Sequence, residues 1–131
     1  MNDNDLIAYA KEARKNAYAP YSNFQVGAAL LGKSGKVFTG CNVENISSPA
    51  GICAERCAVG KAISEGERNF EKIVIIGNSQ GPCTPCGICR QVLYEFNPEM
   101  KIVMTNLRGD ISVLSAKELL PLAFTKEHSE I

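Results

Sequence analysis

Two hydrophobic periodicities divide this chain. Near its start Leu6, Ile7, Ala10, Ala13 and Ala17 recur at near-helical spacing. That predicts a first helix capped by Asn4 or Asp5 and finished before Pro20, because the residue preceding a proline avoids helical backbone. Two strand-like runs follow, residues 24–31 (FQVGAALL) and 36–43 (KVFTGCNV), joined by Gly32-Lys33-Ser34-Gly35 in the manner of a hairpin. A second helix is expected over about 53–65, stopped by Gly66, and then a buried strand at 72–77 (KIVIIG). Pro85 occupies or precedes the first turn of a third helix over 86 to about 96, and 101–104 (KIVM) reads as a further strand. The tail offers a short strand at 111–114 and a helical turn at 116–120, closed by Pro121. A hairpin followed by alternating helix and strand predicts one mixed sheet with helices on its faces. No repeat, linker or low-complexity tract interrupts the pattern, so residues 1–131 read as one domain.

Composition narrows the class. A chain of 131 residues with 45% hydrophobic and 21% charged positions should bury roughly two-thirds of its unfolded surface without disulfide support. Disordered, collagen-like and coiled-coil chains have other compositions. The 14 Lys+Arg balance 14 Asp+Glu, which withholds the basic footprint that a nucleic-acid backbone requires and favours a small, neutral or weakly charged partner. Residues 1–14 (MNDNDLIAYAKEAR) are charged throughout and lack the apolar stretch and cleavage site of a secretory signal. The apolar runs fall far short of the ~20 residues a membrane helix requires. The expectation is a cytoplasmic protein with neither a membrane nor a nucleic-acid partner. Thiols stay reduced there, which directs the 6 cysteines to metal or nucleophile chemistry before disulfides.

One motif match is formally complete. Gly27-Ala28-Ala29-Leu30-Leu31-Gly32-Lys33-Ser34 fits the phosphate-loop pattern G-x-x-x-x-G-K-[ST]. A phosphate loop follows a strand and opens a helix, so that backbone amides and the helix dipole face the phosphates. Here the intervening residues belong inside a strand, Gly35 and another strand follow, and no later apolar strand ends in Asp to hold magnesium. The segment reads as a hairpin turn.

A stronger constellation is Cys53-Ala54-Glu55-Arg56 followed by Pro85-Cys86-Gly87-Ile88-Cys89-Arg90-Gln91. Cys86 and Cys89, three apart at the start of a helix, share a face and can clamp one metal, and Cys53 supplies a third sulfur from the start of the other helix. Helix amino-terminal ends favour thiolates, because unpaired amides and the positive dipole end lower a cysteine's pKa. Three thiolates leave a tetrahedral zinc one position for water, the pattern of a catalytic site. Glu55 lies two residues from Cys53 and shares its face only if the metal sits beyond the helix end. Placed so, its carboxylate can accept the water's proton and deliver it elsewhere. Arg56, and with it Arg90 or Gln91, is placed in sequence to donate hydrogen bonds to the sulfurs and offset their charge. The ordinary reading of Arg56 is a solvated helix face.

These residues resemble the zinc nucleoside deaminases, and more narrowly the small homotetrameric cytidine deaminases of the cytidine/deoxycytidylate deaminase superfamily. The resemblance extends to Asn23-Phe24 with Val26-Gly27-Ala28-Ala29, to Gly40-Cys41-Asn42-Val43-Glu44-Asn45, to Ser64-Glu65-Gly66, and to Leu119-Leu120-Pro121 leading to Phe124. It implies a three-layer α/β/α sandwich with a mixed five-stranded sheet and one zinc per subunit on Cys53, Cys86 and Cys89. It also implies hydrolytic deamination of cytidine and 2'-deoxycytidine to uridine and 2'-deoxyuridine with release of ammonia, a pyrimidine-salvage reaction. Hydroxide would attack carbon 4 of the cytosine ring while Glu55 shuttles the water proton to ring nitrogen 3 and then to the departing amine. By the same resemblance Asn42 and Glu44 bind ribose hydroxyls, the backbone of Ala54 contacts the base, and Phe24 packs on pyrimidine or sugar. Phe124 would close a neighbouring subunit's pocket in a homotetramer. Ser48 departs from the pattern, standing where such proteins commonly carry Tyr, so an aromatic wall of that pocket is missing.

The remaining cysteines divide. Cys41, in a strand, and Cys57, four after Cys53, read as small buried hydrophobes. Cys83 extends Cys86 and Cys89 into a run that an iron–sulfur protein could use, although the fourth Cys of such runs is absent. The competing function is therefore a non-catalytic zinc or iron–sulfur protein whose cysteines only support the fold. Close relatives acting on blasticidin-type nucleosides belong to the first class.

Overall fold

The structure, a computed structural model, describes residues 1–128. Its order is α1 (Asp3–Arg14), β1 (Val26–Gly32), β2 (Val37–Cys41), α2 (Ala54–Ser64), β3 (Phe70–Gly77), α3 (Gly87–Phe96), β4 (Lys101–Asn106), β5 (Ile111–Ser115) and α4 (Ala116–Leu119), with 3-10 turns at Ser48–Ala50 and Lys126–His128. The five strands form one sheet in the order β2-β1-β3-β4-β5. β3 and β4 run parallel, and every other neighbouring pair is antiparallel.

Both faces of the central strands are apolar because both are covered. On one face Ala28 and Leu30 of β1 and Ile73 and Ile75 of β3 pack with Ala58 and Ala62 of α2 and Leu93 of α3. On the other, Ala29, Leu31, Val74 and Ile76 meet Leu6 and Ala10 of α1. Side chains of a strand alternate between faces, so a continuous apolar run such as 73–76 is what a doubly covered strand requires. The result is the expected three-layer α/β/α sandwich around a mixed five-stranded sheet.

Three details differ from the sequence reading. The first helix is capped by Asn2, not Asn4 or Asp5. The Asn2 side chain accepts from the Asp5 amide at 2.9 Å and the Asp5 carboxylate accepts from the Asn2 amide at 3.2 Å. This reciprocal box needs a side-chain acceptor three residues after the cap, and Asn4 or Asp5 would have found Ile7 or Ala8 there. β3 starts at Phe70 and β4 runs on to Asn106, so polar Thr105 and Asn106 belong to a strand that its apolar core alone did not reveal. Cys41 and Cys57 are half-buried rather than buried. The phosphate-loop match is a hairpin: Gly27 to Gly32 lie in β1, and Gly35 turns the chain at φ 92°. Gly27 serves packing there, since a Cβ would lie 2.0 Å from the Ala10 carbonyl oxygen of α1.

Candidate active site

The amino-terminal ends of α2 and α3 meet at the edge of the sheet where β3 and β4 end. Val26, Gly77 and Asn106 are register partners across β1, β3 and β4 at this edge. Clefts outside the carboxyl ends of parallel strands are where α/β sheets place ligands. Residues 43–52 are pinched into a loop by paired bonds between Val43 and Ile52, at 3.0 and 2.9 Å. That pinch brings Asn42 and Glu44, just past β2, beside Cys53.

Cys53 is the N-cap of α2 and Cys86 the N-cap of α3, and neither side chain makes a capping bond to its helix. Both are left free to turn outward, where Cys89 joins them. The three sulfurs lie within 4.8 Å of one another, with 3.8 Å between Cys53 and Cys86. Cys53 is pulled down to about 5, chiefly by its hydrogen bond with Cys89 and further by Arg56, while Cys89 is pushed up by that same bond and by burial. One thiolate is therefore stabilised at the cluster, and metal binding displaces the protons that remain. The donor set suits zinc: three soft sulfurs at two helix amino-terminal ends with a fourth direction open to a cavity.

Arg56 donates to the Cys53 sulfur at 3.5 Å, and its Nε is buried with no partner among the described residues. The solvated-face reading of Arg56 is thereby displaced. Arg90 and Gln91 are turned elsewhere than the sulfurs. Arg90 donates to the Pro85 and Leu119 carbonyls at 2.8 and 3.0 Å, and Gln91 donates to the Phe124 carbonyl at 2.8 Å. Both are long side chains, and backbone carbonyls before α3, at the end of α4 and beyond it claim them.

Glu55 is only 4% exposed. Burial pushes its carboxyl up to about 7, with the Cys53 thiolate adding to the rise. It faces a cavity of about 690 Å³ lined also by Phe24, Asn42, Glu44, Ala54, Cys83 and Cys86. Asn42 accepts from the Val26 amide and donates to the Phe24 carbonyl, both at 2.8 Å. One N–H and one lone pair of its amide stay unspent. Glu44 accepts from the Tyr21 and Ser22 amides at 3.0 and 3.1 Å and from the Ser22 hydroxyl. The Ser22 hydroxyl holds its carboxyl below the usual range. Ser22 also accepts from the Phe24 amide at 3.0 Å. Sequence reading missed Ser22, which ties two cavity residues together, and nothing local marks it. Gly77 was missed as well: a Cβ there would lie 2.9 Å from the Phe24 ring and 3.0 Å from the Cys83 sulfur, so its lack of a side chain leaves room for both.

Cys83 stands outside the sulfur cluster. It is buried in the cavity wall, its amide bonds the Thr105 carbonyl at 3.0 Å, and burial pushes its thiol up to about 11. It is a packing residue, and the Cys83, Cys86 and Cys89 run does not converge as an iron–sulfur site would require. Ser48 opens the Ser48–Ala50 turn at the cavity rim. Phe124 is 64% exposed and does not line this cavity.

Gly40 sets the approach of α2. A Cβ there would lie 2.4 Å from the Ala54 carbonyl oxygen and 2.5 Å from the Ala58 nitrogen, both backbone atoms. Gly40→Ala should cost about 1–3 kcal/mol through overpacking, lowering Tm on the order of 5 °C. It should also cut turnover by shifting Cys53 and Glu55. Thermal denaturation beside an activity assay checks this, and an unchanged Tm would show that α2 does not sit against β2 in this way.

Residues 1–105 match the family described as the cytidine and deoxycytidylate deaminase zinc-binding region. A cytidine deaminase of Sporosarcina psychrophila is 48% identical over 128 residues, spanning 97% of this chain and 94% of that protein. One from Halalkalibacterium halodurans is 49% identical over 128 residues, with 97% of each covered. Among solved structures, the cytidine deaminase from Burkholderia pseudomallei superposes with a TM-score of 0.93 at 52% sequence identity, covering 95% of this chain and 100% of that one.

Proposed function

The chain belongs to the cytidine and deoxycytidylate deaminase family, and on that premise we propose that it hydrolyses cytidine and 2'-deoxycytidine to uridine and 2'-deoxyuridine with release of ammonia. The observation that carries this reading is the convergence of the Cys53, Cys86 and Cys89 sulfurs beside a buried carboxylate, Glu55, on one cavity. A zinc held by those three cysteines would supply a Lewis acid able to bring a water's pKa near neutrality. Glu55 does the proton work. As oxygen bonds to carbon 4, Glu55 takes a proton from the attacking water and passes it to ring nitrogen 3. It then passes the second proton to the amine as the carbon–nitrogen bond breaks and the carbonyl forms, so water is consumed and ammonia leaves.

Arg56 offsets the negative sulfurs, and Arg90 holds the Pro85 carbonyl next to Cys86. Gln91 secures the backbone at Phe124. On the substrate side, Phe24 packs on the pyrimidine or sugar, the Ala54 backbone meets the base, and Asn42 and Glu44 take the ribose hydroxyls. Glu44→Gln should raise the KM for cytidine about 10- to 100-fold, the worth of a hydrogen bond to a charged group, with kcat little changed. Steady-state kinetics test this, and an unchanged KM would remove Glu44 from the sugar site.

The proposal extends to a homotetramer with shared pockets, in which Phe124 closes a neighbour's site. Tyr21, Phe24, Val43, Ile46 and Ile52 around the cavity are all exposed, and a contiguous apolar patch of this kind is what a partner subunit would cover. The reading includes one zinc per subunit, which the single three-sulfur group among the described residues supports. Free thiols suit a reducing cytoplasm, where pyrimidine salvage would use the reaction. The charge balance favours a nucleoside over nucleic acid, and no helix among the described residues is long and apolar enough to cross a membrane.

The deciding experiment incubates zinc-loaded protein with cytidine, deoxycytidine, cytosine and blasticidin, following ammonia and the ultraviolet absorbance of the ring. Turnover of the two nucleosides without turnover of free cytosine is expected. No ammonia from any of them would leave a zinc scaffold, and the visible absorbance of iron–sulfur clusters would replace zinc altogether.

A further inference from the structure

Asn106 closes β4, is 2% exposed, and has no part in the chemistry described above. Its Nδ2 is ringed by four oxygen acceptors: the Asp110 carboxylate at 2.8 Å and the carbonyls of Ser79, Gln80 and Gly81 at 3.1, 3.2 and 3.3 Å. Its Oδ1 accepts from the amides of Arg108 and Asp110, each at 3.0 Å. The Arg108 guanidinium donates to the same Gln80 carbonyl. Next to Asn106, the Thr105 carbonyl accepts from the Cys83 amide at 3.0 Å. The end of β4 therefore grips the chain at residues 79, 80, 81 and 83, the stretch that runs from β3 to Cys86.

The three sulfurs are not equally secured. Cys89 is buried within α3, and Cys53 is held by Arg56, whereas Cys86 is exposed at the start of α3. What delivers Cys86 is the backbone before it, fixed at Pro85 by Arg90 and at 79–83 by β4. We infer that Asn106 is a positioning residue for the metal centre, which holds the 79–83 segment so that the Cys86 sulfur is presented to Cys53 and Cys89. The inference rests on the zinc reading given above. Loosening this segment lets the third sulfur wander from the other two. Its effective concentration at the metal then falls, and the metal escapes more readily once that bond opens.

The test is the rate at which zinc passes from the loaded protein to a colorimetric chelator, read without substrate and set beside Tm. Asn106→Ala should speed release by about tenfold or more, the size of effect seen when groups outside the ligand shell are removed. Thr105→Val serves as the control. It deletes the buried bond from the Thr105 hydroxyl to the Ile75 carbonyl, 3.0 Å long, and leaves the backbone grip on Cys83 intact. It should lower Tm without speeding release. Unchanged release in Asn106→Ala, or equal acceleration in Thr105→Val, overturns the inference. Should Asn106→Ala not fold, Arg108→Ala removes the exposed donor to Gln80 together with a 4.0 Å ion pair to Asp110 and should speed release by a smaller factor. No acceleration there overturns it equally. A wild-type chain that takes up no zinc overturns this inference together with the metal reading. Zinc-loaded protein that fails to deaminate cytidine sinks the proposed function alone.

Discussion

Glu55→Gln should lower kcat by about 10²- to 10⁴-fold while the protein keeps its full complement of zinc. The glutamine amide matches the carboxylate in size but cannot carry a proton between water, ring nitrogen and amine. Glu55 is not one of the three sulfur ligands, so metal analysis of the variant should match the wild type. The residue is buried, and a neutral amide costs less to bury than a carboxylate. Tm should therefore hold or rise, which separates lost chemistry from lost fold. Turnover near the wild-type level would remove Glu55 from the proton path.

Withdrawing zinc should abolish turnover and lower Tm, and adding zinc back should restore both. A ligand that binds only the folded chain stabilises it by about 4 kcal/mol when present at a thousandfold over its Kd. For a chain of this size that corresponds to a loss on the order of 10 °C in Tm on removal. The loss should stop short of unfolding. Neither core cluster contains any of the three ligand cysteines, so far-ultraviolet circular dichroism should persist in the stripped protein. Activity that survives thorough chelation would rule out the metal centre as the seat of the reaction.

The site was legible to different depths at different residues. Cys86 and Cys89 announce themselves because three-residue spacing at a helix start is a local relation, visible before any folding is known. Cys53 and Glu55 were readable as candidates, but their convergence with that pair depends on α2 lying tight against β2, which Gly40 permits. Arg90 and Gln91 sit in the right stretch of sequence and bond carbonyls instead. A long side chain answers to whichever acceptor its helix face presents, and sequence spacing does not reveal that. Ser22 and Gly77 carried no signal, because the contacts that matter most, Ser22 with Glu44 and Gly77 with Phe24, join residues far apart in the chain.

What the sequence determined by itself was the order and kind of the elements, the doubly covered sheet, and the family of the chemistry. Each of these follows from patterns spanning a few neighbours: alternation, helical spacing, caps, and short motifs. Tertiary structure alone decided that Cys83 stays out of the sulfur cluster, that Arg56 rather than Arg90 serves it, and that Asn106 grips the segment leading to Cys86. Asn106 reaches carbonyls 25 to 27 positions away, whereas Arg56 lies only three from Cys53 and is selected by how the helix ends converge. Such contacts depend on strand register and on how closely helices approach the sheet, quantities that no local pattern encodes.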